Sequence, residues 1–131
     1  MTIHLAAPLP AVDRLQTAKD LETTADILDD VGLHKNGGLY DTAQYDTHHI
    51  GRSKCRQDIH GAIRTAIIGT PTYTDDRRML ARIDATETAL ADHLRYDRAE
   101  LADWFDVRQR QTRQVVKALR EAAAGQRGDD A

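Results

Sequence analysis

A chain of 131 residues is the length of one domain, and 40% apolar with 5% aromatic residues gives a lean core of Ala, Leu, Ile and Val suited to close helix packing. A net charge of −3 excludes a protein basic over its whole surface, the single Cys55 excludes an intramolecular disulfide, and no apolar run reaches the length of a membrane span. A soluble, cytoplasmic protein with no membrane attachment is the expectation.

Residues 1–10 are expected to form a flexible arm, because Pro8 and Pro10 disfavour a helix ahead of them. From Ala11 to Val31, Leu15, Ala18, Leu21, Ala25, Leu28 and Val31 recur every three or four residues. That spacing predicts an amphipathic helix ended by Gly32, which can take positive φ at no steric cost. Residues 34–53 carry a turn signal at Asn36-Gly37-Gly38, and Leu39, Tyr40, Tyr45 and Ile50 suit either a small β-hairpin or a long loop.

A second helix is predicted over Lys54–Ile68, where Ile59, Ala62, Ile63, Ala66 and Ile67 form a dense stripe. It should be the most buried helix, with Gly61 admitting a neighbouring helix, and Gly69-Thr70-Pro71 ends it. A third begins at Thr74 or Asp75 as N-cap and runs to Tyr96, burying Met79, Ile83, Leu90 and Leu94. Two short helices follow, around Ala99–Phe105 and Gln111–Ala123, and residues 125–131 are expected to be a disordered tail. The fold class is therefore all-α: one helical domain over 11–124, a compact bundle of four or five helices. The helix 54–68 should pack against the first, the third and the last helix, with Trp104 and Phe105 as the aromatic anchor.

Two groups of residues carry chemistry. His48, His49 and Cys55, with His34, Asp58 and His60 nearby, include metal-ligand types, but no Cys-x-x-Cys or His-x-x-x-His pair is present. Loop and helix-surface histidines account for them; a metal site would use His48, His49 and Cys55. A Cys–His nucleophile lacks any third orienting group, and no phosphate-binding glycine motif occurs. The expectation is a protein that is not an enzyme and holds no cofactor.

The second group is basic. Arg108, Arg110, Arg113, Lys117 and Arg120 fall in thirteen residues with no acid among them, whereas residues 1–50 set eight acids against Arg14, Lys19 and Lys35. A short helix followed by a basic, Gln-rich one fits a helix-turn-helix, with Ala102 at the crossing, Asp106 at the turn position usually held by Gly, Phe105 and Val107 as the buried pair flanking the turn, and Val115 and Leu119 facing inward. Arg108, Gln109, Arg110, Gln111, Arg113, Gln114 and Lys117 would then face outward toward phosphates and base edges. The competing interpretation is an ordinary amphipathic helix whose basic face complements the acidic first helix. Pairing of Arg113 or Lys117 with Asp26 or Asp30 would favour it.

The segments LETTADILDDVGL, DIHGAIRTAI and LADWFDVRQRQT resemble a family of small uncharacterised actinobacterial and phage proteins, a domain of unknown function. The second is similar to its Cys-x-x-Gly-Ala-Ile signature, with Asp58 where the family has Cys. The third is similar to its Trp-Asn-Asp segment, with Phe105 where the family has Asn. The resemblance implies a compact helical domain and no activity. The function expected is a small accessory or regulatory binding protein that contacts DNA through residues 98–124. The alternatives are a protein-interaction module of phage or mobile-element origin, and a structural homodimer.

Overall fold

The computed structural model describes residues 7–35 and 37–128. Residues 7–12 run without regular structure into α1, Arg14–Val31, and residues 1–6 of the expected arm lie outside the described residues. Asp13 caps α1 by accepting from the Leu15 amide at 2.7 Å, and Gly32 ends it at φ 85° with its own amide on Leu28 O. The helix does not start at Ala11, and of its predicted stripe Ala18, Leu21, Ala25 and Leu28 are buried while Leu15 is not. Leu15 is exposed, and the inward face carries Thr17, Asp20 and Thr24 beside Ala18, Leu21, Ala25 and Leu28.

Among the described residues the 34–53 segment forms no hairpin. It holds a seven-residue helix instead: α2, Thr42–His48, capped by the Asp41 carboxylate on the Ala43 and Gln44 amides. The chain then passes a 3₁₀ turn, Arg52–Lys54, and meets the preceding loop at one buried residue. Gln57 forms a parallel bridge with Leu33 and an antiparallel bridge with Tyr40, and no longer strand exists among the described residues. Its side chain is also saturated: Nε2 donates to Ser53 O at 3.1 Å, and Oε1 accepts from Thr65 Oγ1 at 2.8 Å.

Helix α3 is shorter than predicted, Ile59–Ile68, because Asp58 caps it by accepting from the Gly61 amide at 2.6 Å. Gly61 faces a loop rather than a helix: a Cβ there would stand 1.9 Å from Leu39 O. Helix α4, Arg77–Leu94, is capped by Asp76 and closed by Arg95 in the left-handed region. After a 3₁₀ turn, Arg98–Glu100, come α5, Leu101–Asp106, and α6, Thr112–Arg127. Helix α6 runs through Gly125, so residues 125–127 are helical rather than part of a tail, and 129–131 lie outside the described residues.

The described residues thus contain six α-helices, not four or five. Helix α3 packs on α1 and α4 as expected but on α5 in place of the last helix, and the most extensive contact is α1 along α6, with α4 packed on both. The pair is antiparallel, since Arg14 at the start of α1 reaches Gly125 O while Asp26 near its end reaches Arg120. Buried alanines on each, Ala18 and Ala25 against Ala118, Ala122 and Ala123, allow close approach. Helices α3 and α5 close the other side. There Trp104 and Phe105 are buried with Ile59, Ile63 and Leu101 in the common core. Each fully buried Leu or Phe contributes about 1.5–3 kcal/mol.

Candidate cationic binding surface

The basic stretch begins where α5 ends. A helix C-terminus leaves carbonyls without intrahelical partners and carries partial negative charge. Cations meet those carbonyls here. Arg110 turns back, donates Nε to Trp104 O at 3.1 Å and stacks its guanidinium 4.3 Å from the Trp104 ring centre. Lys35, from the loop after α1, donates Nζ to Val107 O at 2.7 Å and to Arg110 O at 2.6 Å. The Arg110 amide closes the turn on Val107 O at 2.9 Å.

The predicted contact residues separate into two sets. Gln111 and Gln114 are used by the protein, forming a reciprocal capping box at the start of α6, and Arg110 is used as described. Arg108, Gln109, Arg113 and Lys117 are exposed. Neither Arg113 nor Lys117 pairs with Asp26 or Asp30 among the described residues. Asp26 takes Arg120 at 2.9 Å, and Glu22 takes Arg120 at 2.8 Å and Arg127 at 3.3 Å. Lys117 has only Glu121, 4.0 Å away on the same helix, and no ion pair of Arg108 or Arg113 forms among the described residues.

The geometry of the pair differs from the expected one in two respects. Asp106 is the last residue of α5 and does not have positive φ. Contact between α5 and α6 is slight, because α6 is held by α1 and α4 while α5 leans on α3. Ala102 is half-buried and Val107 is exposed rather than buried beside the turn, whereas Phe105, Val115 and Leu119 face inward as expected.

The His and Cys residues do not gather. His48 and His49 sit exposed at the end of α2, with His49 in the left-handed region. Cys55 is buried, its Sγ 3.5 Å from both Ile50 O and Gly51 O, and burial pushes its thiol up. Among the described residues no three His, Cys, Asp or Glu side chains are placed to hold a metal ion.

A different charged cluster, absent from the sequence expectations, joins α3, α4 and the 98–100 turn. Glu87 is buried and accepts from both His60 Nδ1 and Arg98, whose Nη2 lies 3.1 Å away, and Arg98 also pairs with Asp84. The Glu87 hydrogen bond raises the His60 pKa against the opposing effect of burial. Burial by itself would raise the Glu87 pKa, but the His60 hydrogen bond and the His60 and Arg98 charges lower it. Its signal was legible: Glu87 lies on the Ile83–Leu90–Leu94 stripe, where a solvated acid does not belong. With every charge opposed by another, the cluster reads as a tertiary tie.

The chain belongs to a family of unknown function, DUF6197, whose model matches residues 13–125. The match runs from the cap of α1 to the last turns of α6. Comparison with curated proteins and with solved structures finds no match. No helix among the described residues is long and apolar enough to cross a membrane.

Proposed function

We propose that this chain is a non-enzymatic binding protein whose exposed edge, Arg108, Arg113 and Lys117, contacts nucleic-acid phosphates. One observation carries the reading: Glu22 and Asp26 of α1 are taken by Arg120 and Arg127, while Arg108, Arg113 and Lys117 are exposed to solvent. Arg and Lys hold phosphates by charge and hydrogen bond, without reading sequence. Two of the three glutamines that would have read adenine edges, Gln111 and Gln114, are engaged in the cap of α6 and only Gln109 stays exposed, so contact with the backbone is favoured over contact with bases. The packing of α6 along α1 also differs from a recognition helix carried on its own short partner.

The test is a backbone amide spectrum of the full chain titrated with a duplex of mixed sequence at low salt. Shifts concentrated at residues 107–117, alike for unrelated sequences, are expected. Shifts elsewhere, or none, would overturn the reading.

A further inference from the structure

We infer that Lys35 is the positioning residue of this edge, an inference that rests on the proposed binding role. Lys35 lies more than seventy positions before the turn, yet its ammonium occupies the concave side of residues 107–110. It donates to Val107 O and Arg110 O, with Arg108 O 3.5 Å away. A lysine ammonium has three donors and no acceptor, so three convergent carbonyls match it in number and in sign.

The consequence is electrostatic as well as geometric. Unpaired carbonyls at the end of α5 would place partial negative charge beside the very residues that must attract phosphate. Arg110 covers Trp104 O at the end of α5, and Lys35 covers Val107 O and Arg110 O in the turn that follows, which leaves Arg108 as the outward group of the turn. The turn contains no glycine and no residue with positive φ, and its own closure is the single Arg110 amide bond to Val107 O. The ammonium therefore supplies what a tighter turn would have supplied through its backbone. Lys35 is half-buried in this seat, so it acts through Arg108 and does not itself present charge to a ligand.

The experiment replaces Lys35→Met in the full chain, keeping length while removing donors and charge. Hydrogen exchange of the Arg110 amide should accelerate by about tenfold with helical content unchanged. Duplex affinity should fall several-fold in the otherwise native chain and hardly further in Arg108→Ala, a non-additivity that a merely structural role would not give. Unchanged exchange at Arg110, or additive losses in the double variant, would overturn the inference. If the native chain binds no duplex, the binding reading fails, and with it the claim that Lys35 serves binding; accelerated exchange would then leave only its hold on the turn.

Discussion

Arg82 grips Asp20 across the α1–α4 interface, with Nε 3.0 Å and Nη2 2.8 Å from the two carboxylate oxygens. Asp20 is 2% exposed and also accepts from Gln16 Nε2 at 2.9 Å. A buried carboxylate so held is costly to leave half-made: removing one partner strands the other. Asp20→Ala should lower the unfolding free energy by about 3 kcal/mol, at the low end of the range for buried pairs because Arg82 keeps some contact with water. Arg120→Ala, at a pair open to solvent, should cost under about 1 kcal/mol. Urea midpoints of the two variants check the contrast.

Gly61 marks a second sensitive point. A Cβ there would meet Leu39 O at 1.9 Å and Leu39 C at 2.8 Å, and both are backbone atoms that no rotamer change can move. Gly61→Ala should therefore destabilise by about 3 kcal/mol or more despite the better helix propensity of alanine. Thermal unfolding measures it; an unchanged midpoint would mean that the 37–41 loop gives way freely.

Gln57 links three segments through backbone and side chain together. Gln57→Leu keeps the bulk but leaves Thr65 Oγ1 with only Gly61 O, and removes the acceptor of 2.8 Å and the donor to Ser53 O. A loss of about 2 kcal/mol is expected, read by denaturant unfolding. Amide exchange in residues 33–41 should rise with it.

The His60–Glu87 tie makes stability depend on pH. His60 has its folded pKa raised above its ordinary 6.5, so its contribution is complete below that value and lost as pH rises through the folded pKa. Glu87 has its folded pKa lowered from 4.5, so its contribution is present above that value and lost as pH falls through the folded one. Unfolding free energy should decline as pH rises from the ordinary histidine value through the raised folded pKa of His60, and that decline should be lost in His60→Gln. Proton titration of the imidazole should show a raised pKa that returns toward its ordinary value in Glu87→Gln.

These features show which parts of the fold its sequence makes legible. Five helices announce themselves because Ile59, Ile63 and Ile67, or Val115, Leu119 and Ala122, repeat at helical spacing and are buried. Helix α2 does not, because it buries nothing and is held by the Asp41 cap. The pairing of Leu33 and Tyr40 with Gln57 is equally silent, since two isolated bridges need no alternating run. Leu15 misleads because α1 turns Thr17, Asp20 and Thr24 inward, and polar residues on a buried face are justified only by partners elsewhere in the chain.

The cationic surface was half legible. The spacing of Arg113, Lys117 and Arg120 puts all three on one side of α6. Only the axial register against α1 decides that Arg120 meets Glu22 and Asp26 while the other two remain exposed. Lys35 could not be found from sequence, because its partners are backbone carbonyls with no side-chain signature.

The central claim is that Arg108, Arg113 and Lys117 contact phosphates, and the salt dependence of duplex binding tests it most directly. Each phosphate neutralised contributes about −0.9 to the slope of log K against log salt, so three predict about −2.7 over roughly 50 to 200 mM. Replacing all three with Ala should abolish most of that slope together with the binding, with the fold intact. A slope near zero, or a triple variant that binds as the native chain does, would contradict the claim.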